Sequence, residues 1–397
     1  MINLKDKTRF NMPLYEEISL NDDILDDVST ADYSSVVYSR DWLIETFIEQ
    51  IRKHNIQLNK KLNIRNAWDD IKRSKLIESL IIGLPVPEII LAEKYPQSYP
   101  EKSFLIIDGK QRLSTIAGFV MPESHPSWDN AQLEQLKVRR ELNGLTYKQL
   151  EADYFDEHRL FLEANIQCTI ISEYQSDDVL YDLFSRRNSS VCTQALRQIL
   201  HNGPFANYLI DITNELQPIH QVLGLNKPDN TFFDIEIILR VIALVLFGQE
   251  EYQGNIKVFL DKAMAKMNQA WQQHYEEKVK TCYRAFNDAI NRLNKIFLIQ
   301  EIGRPLTGEK NVRFNKLLFE VQIYYFMSLN DDDITLESKE NFLSAFKVLC
   351  HDPIFQASLA SSTQTLAHYR VRFESFNKLI NAAFQKEINQ LPIKASS

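Results

Sequence analysis

Apolar residues recur along this chain in two rhythms. Between residues about 41 and 175, runs of strand length alternate with stretches at helical spacing. From Thr193 onward nearly every segment repeats its apolar positions at three- and four-residue intervals. WLIETFIEQIRKH, from Trp42, predicts a helix, and IQLN a short strand. AWDDIKRSKLIESLIIGLPVP predicts a helix with Asp69 and Asp70 at its start, where carboxylates meet the positive end of the dipole. Leu76, Ile77, Leu80 and Ile81 make its apolar stripe, and Gly83 and Pro85 end it. EIILAE reads as a buried strand, KYPQSYPEK as a loop, SFLIID as a second strand and KQRLSTIAGFV as a helix. Residues 121–160 are polar, with a short helical piece near LTYKQLEADYF. ANIQCTIIS predicts a strand, and SDDVLYDLFSRRN a helix capped by Ser176.

The later helices are TQALRQILHN, FANYLIDITNEL, FFDIEIILRVIALVLF, one long segment from Asn255 to Phe297, FNKLLFEVQIYYFMSL, KENFLSAFKVL and VRFESFNKLINAAFQKEI. The pattern therefore predicts an α+β chain. A polar arm over 1–40, with DDILDD and several serines, precedes an α/β domain over 41–175 and a mostly α-helical domain over 176–397.

Composition narrows the function more than the fold. The chain has 397 residues, 44% hydrophobic and 25% charged, which is enough apolar material for sizeable cores. A net charge of −8 weighs against a broad basic surface for nucleic acid. With 10 glycines and neither G-x-x-x-x-G-K-[ST] nor G-x-G-x-x-G, a glycine-rich phosphate loop is not expected. The cysteines at 168, 192, 282 and 350 lack zinc or redox spacing. The longest apolar stretch, IILRVIALVLFG, contains Arg240 and is too short to span a bilayer. No membrane partner is expected, and the chain reads as cytoplasmic with reduced thiols.

The candidate chemistry lies in FLIIDGKQRLSTIAGFV. A strand that turns through Asp108-Gly109 into a helix leaves the first helical N–H groups unpaired and facing outward, a natural anion site. Gln111 and Arg112 stand in that first turn, and a guanidinium is a planar fork matched to phosphate oxygens. Asp108 could cap the helix, accept a hydrogen bond from a sugar or base, or hold a divalent ion. The plainer alternative is that Asp108 is only a cap and Arg112 only a surface charge. Trp68 reads as core or pocket wall, and Asp234, Glu236 and Arg240 as an internal ion-pair network. Arg186, Asn188 and Arg197, near a helix–loop–helix junction, could meet DNA or nucleotide phosphates, or satisfy groups across the junction.

IIDGKQRLSTIAGF resembles the DGQQR motif of the GmrSD-type restriction enzyme N-terminal domain family, whose members have a ParB-like or sulfiredoxin-like fold. The upstream Arg65, Trp68, LIESLIIG and Pro85-Val86-Pro87 are similar to that family's Arg, Trp, I-E-S helix and Pro-x-Pro. Downstream, Phe184, Arg186, Asn188, Gln194, Leu196, Arg197, Gly203 and Phe205 resemble its F-x-R-x-N, its Q-E-L-R, and the small residue and Phe that follow. Three positions depart: Lys110 stands for the family's usual Gln, Ile64 for the Gln before the upstream Arg, and Ala195 for a Glu. No His-rich ββα-metal nuclease pattern follows, so a self-contained nuclease is not expected.

The resemblance implies a ParB-like domain that binds a nucleoside triphosphate, with Mg as a candidate companion and hydrolysis as one outcome. Asp108, Gln111 and Arg112 would be its catalytic residues. Arg65, Trp68, Pro85, Pro87, Gly109 and Lys110 would complete the nucleotide site, with Asp108 as a candidate Mg ligand. The chain would be a sensor or regulatory subunit of a bacterial anti-phage or restriction system, acting with a separate nuclease or ATPase effector, with DNA and a second copy of itself as candidate partners. The alternatives are a DNA-binding module for modified or foreign DNA, and a scaffold with a degenerate pocket.

Overall fold

The computed structural model describes residues 35–58, 65, 68–94, 103–124, 128, 131–187, 193–308, 312–360 and 365–387. The arm as far as residue 34, the loop 95–102 and Asn188 lie outside them, as do the side chains of Phe184 and Arg186. The described residues divide into two compact units. One lies within Val28–Ser189 and Ala195–Leu200, the other chiefly within His201–Ser397.

The first unit is built on a four-stranded mixed sheet. Its strands are β1 (Val36–Leu43), β2 (Ile89–Lys94), β3 (Ser103–Asp108) and β4 (Asn165–Ser172), in the order β1-β4-β2-β3. β4 pairs antiparallel with β1 and parallel with β2, and β2 pairs antiparallel with β3. The central β2 buries both faces through Ile89, Ile90, Leu91 and Ala92, as a strand with a parallel neighbour tends to do. Ile90 lies opposite Asp108 but Leu91 opposite Ile106, so Ile107 is an extra residue in β3. Such a bulge re-aims the residue beside it, here Asp108 at the strand end.

Five helices of this unit matter to the site: α1 (Ile44–Arg52), α2 (Asp70–Ile81), α3 (Lys110–Val120), α4 (Tyr147–Asp153) and α5 (Phe155–Glu163). α2 begins where the Asp69 carboxylate accepts from Lys72 N at 2.7 Å. It ends in a Schellman turn: Leu84 N donates to Ser79 O at 2.8 Å and Gly83 N to Leu80 O, with Gly83 at φ +71°. Ile44, Phe47, Ile77, Leu113, Ile116, Phe119, Leu150, Phe161 and Cys168 form one core under these helices. α6 (Asp177–Arg187) follows, with Ser176 Oγ accepting from Asp178 N, and then α7 (Thr193–Leu200).

The second unit is helical: α8 (Pro204–Thr213), α9 (Pro218–Leu223), α10 (Phe233–Glu251), α11 (Ile256–Gln269), α12 (Glu276–Ile296), α13 (Lys316–Phe326), α14 (Leu336–Cys350), α15 (Pro353–Ser358) and α16 (Leu366–Phe384). Its core is dense in aromatic rings, among them Phe326, Phe342, Phe346 and Phe376. Buried charge is paired. Arg240 Nε donates to Glu320 Oε2 at 2.8 Å, and Glu236 lies 3.8 Å from Arg240 and 3.5 Å from Lys316. Glu236 and Arg240 thus lie in an internal network as expected, and Asp234 bonds to His220. His220 Nδ1 accepts from Gln217 N at 2.7 Å, so its proton sits on Nε2, which donates to Asp234 Oδ2 at 2.9 Å.

Four local expectations are corrected. Val36–Arg40, read as part of the arm, is strand, because its pairing partner β4 lies far away in sequence. IQLN makes a single bridge, Ile56 to Phe104, rather than a strand. The long helix from Asn255 is broken at Ala270, and a π-helical turn over Trp271–Tyr275 re-phases α12. Residues 147–163 hold two helices where one short piece was expected.

Candidate functional site

β3, Gly109 and α3 form the expected strand–turn–helix. Gly109 sits at φ +91°, and a Cβ there would lie 2.8 Å from Ile89 Cγ1, so only glycine fits the bend. A glycine cap has no side chain to offer the helix. Asp108 Oδ1 takes one amide, accepting from Gly109 N at 2.6 Å. Among the described residues, the amides of Lys110, Gln111 and Arg112 have no acceptor. The contrast with α8 is instructive. There the Asn268 side chain accepts from Phe205 N and Ala206 N at 3.0 and 3.2 Å and closes the helix end.

The side chains of this turn are half-buried. Lys110 and Gln111 make no side-chain hydrogen bond or ion pair among the described residues. Burial pushes the Lys110 amine down to about 7. Arg112 is held from both sides: Nη2 donates to Glu88 O at 2.7 Å and lies 3.4 Å from Asp108 Oδ2. Its Nε is buried with no partner among the described residues. Asp108 keeps 42% of its side chain exposed, so an incoming group can reach the carboxylate.

The other expected residues are placed differently. Trp68 packs against the core with Lys72 Nζ 4.5 Å above its ring. Arg65 is half-buried and engaged by neighbouring groups. Pro85 and Pro87 are exposed on the segment that leads to Glu88. Arg197 is 2% exposed and has partners within the chain. Arg186 and Asn188 fall outside the described side chains.

Two carboxylates were not singled out from the sequence. Glu88 supplies the carbonyl that holds Arg112, while its own Oε2 accepts from Thr169 Oγ1 at 2.6 Å. The signal available was its place directly after Pro-x-Pro, at the mouth of a strand. Glu78, the acid of the I-E-S helix, is buried and accepts from Val138 N at 2.8 Å, Arg139 N at 2.9 Å and Lys137 N at 3.3 Å. It shapes a loop rather than a ligand site.

Among the described residues no cluster of three His, Cys, Asp or Glu is arranged to hold a metal. Asp108 would offer one oxygen, so a divalent ion would draw its remaining ligands from phosphates and water. No described helix is long and apolar enough to cross a membrane. Cys168, Cys282 and Cys350 are free and buried. Burial pushes the thiols of Cys168 and Cys282 up to about 12, far from nucleophilic chemistry.

Comparison with the curated proteins and with the solved structures produced no match. Residues 65–193, which carry the Asp108 turn, α2 and β4, match the family model of the GmrSD restriction endonuclease, N-terminal domain.

Proposed function

We propose that this chain is a component of a restriction or anti-phage system whose GmrSD-type domain binds a nucleoside triphosphate at the start of α3. The phosphates meet the open amides of Lys110, Gln111 and Arg112. The Lys110 ammonium and the Gln111 amide contact them from the same turn. Asp108 positions a Mg ion, a water or the ribose. One observation carries this reading: backbone amide, lysine amine and side-chain amide donors without partners among the described residues stand in the first turn of one helix, behind a glycine that admits no side chain. A bound anion satisfies all of them at once.

In the wider reading the domain reports nucleotide state to a separate nuclease or ATPase effector. A ligand shifts a conformational balance only through unequal affinity for two states, so the helical unit must differ between them. Calorimetry with a panel of nucleoside triphosphates and Mg tests the site. One triphosphate is expected to bind, and Lys110→Ala/Gln111→Ala to bind it about ten- to a hundredfold more weakly, at roughly 1.5–3 kcal/mol per bond to a charged group. Identical heats for the two proteins would remove the site.

A further inference from the structure

Arg112 is held through a relay that starts on another strand. Ser39 Oγ on β1 lies 3.0 Å from Thr169 Oγ1 on β4. Thr169 Oγ1 donates to Glu88 Oε2 at 2.6 Å, and Glu88 O accepts from Arg112 Nη2 at 2.7 Å. Thr169 is buried, and it lies directly beside Ile90 in the parallel β2–β4 ladder. β2 separates β4 from β3, the strand that leads into α3. Residue 88 therefore bonds to two elements: its carbonyl accepts from Arg112, and its carboxylate accepts from Thr169 on β4.

That division matters for an anion site. Asp108 already sets one carboxylate 3.4 Å from Arg112, and a second one turned toward the start of α3 would compete further for the guanidinium and repel phosphate. A hydroxyl that captures the carboxylate removes this competitor and fixes the backbone whose carbonyl orients the guanidinium. We propose that Thr169 is a positioning residue of the nucleotide site, acting through Glu88 on Arg112. This rests on the nucleotide reading above and adds to it a control on the Arg112 fork from β4, which β2 separates from β3.

Thr169→Val tests the relay. Valine keeps the shape and suits a strand, so the fold is retained, while the hydroxyl is lost. Binding of the preferred nucleoside triphosphate is followed by calorimetry in wild type, Thr169→Val and Thr169→Ser, with thermal unfolding as the control on folding. The expected result is a Kd about tenfold higher for Thr169→Val, with Thr169→Ser, which restores a hydroxyl, returning to within about twofold of wild type. Wild-type affinity in Thr169→Val, or weakened affinity in Thr169→Ser equal to that of Thr169→Val, overturns the relay and leaves the nucleotide site standing. Absence of triphosphate binding by wild type overturns both.

Discussion

Gly109 lies so close to Ile89 that a side-chain carbon at residue 109 would sit 2.8 Å from Ile89 Cγ1 and 3.2 Å from Arg112 Nη2. The contact joins the first residue of β2 to the turn that opens α3, and it explains why the bend has no side-chain cap. Gly109→Ala meets both a left-handed backbone and a wall. The strained conformation alone costs about 1–3 kcal/mol, and the collision adds to it. Urea denaturation is expected to show a loss at the upper end of that range, accompanied by loss of nucleotide binding.

Glu78 and the loop 137–139 make a second local prediction. Glu78→Ala removes the acceptor for three backbone amides. An unsatisfied buried polar group costs about 1–3 kcal/mol, so destabilisation of about 3 kcal/mol is expected, partly offset by water entering the loop. Hydrogen exchange locates the effect: the amides of Lys137, Val138 and Arg139 should exchange faster while those of β2 change little.

Lys110 makes stability depend on pH. Its ordinary value is 10.5, and burial brings it to about 7 in the folded chain. Between those values the unfolded chain binds one more proton than the folded one, so stability rises as pH climbs through that window and the penalty is complete below it. Lys110→Met removes this slope. Urea midpoints at about pH 6.5 and about pH 9.5 compare the two proteins, and the gap in favour of Lys110→Met should narrow at the higher pH.

The Arg240–Glu320 pair in the helical unit is a stability element rather than a site. Glu320→Ala leaves a buried guanidinium short of its carboxylate and is expected to cost about 3–5 kcal/mol. Replacing both partners, as Arg240→Met/Glu320→Leu, should recover most of that loss. Chemical denaturation of the single and double variants checks it. A double variant as unstable as the single one would mean that Glu236 and Lys316 depend on the pair.

What the amino-acid order determined by itself is local. Asp69, Gly83, Ser176 and the turn at Asp108-Gly109 act on neighbours a few positions away, through amides and backbone angles that any reader of the chain can list. The strand–turn–helix and most of the later helices were legible for that reason. The tertiary structure decided everything that joins distant segments. β1 exposes most of its side chains, so no apolar alternation marks it, and it becomes a strand because β4 offers it a ladder. Ser39 and Thr169 meet across 130 positions, Glu88 and Thr169 across 81, and Glu78 and Val138 across 60. A carboxylate next to a proline or inside a helix has no local signature for its partner. Its role is settled only when the sheet brings the donors within hydrogen-bond reach.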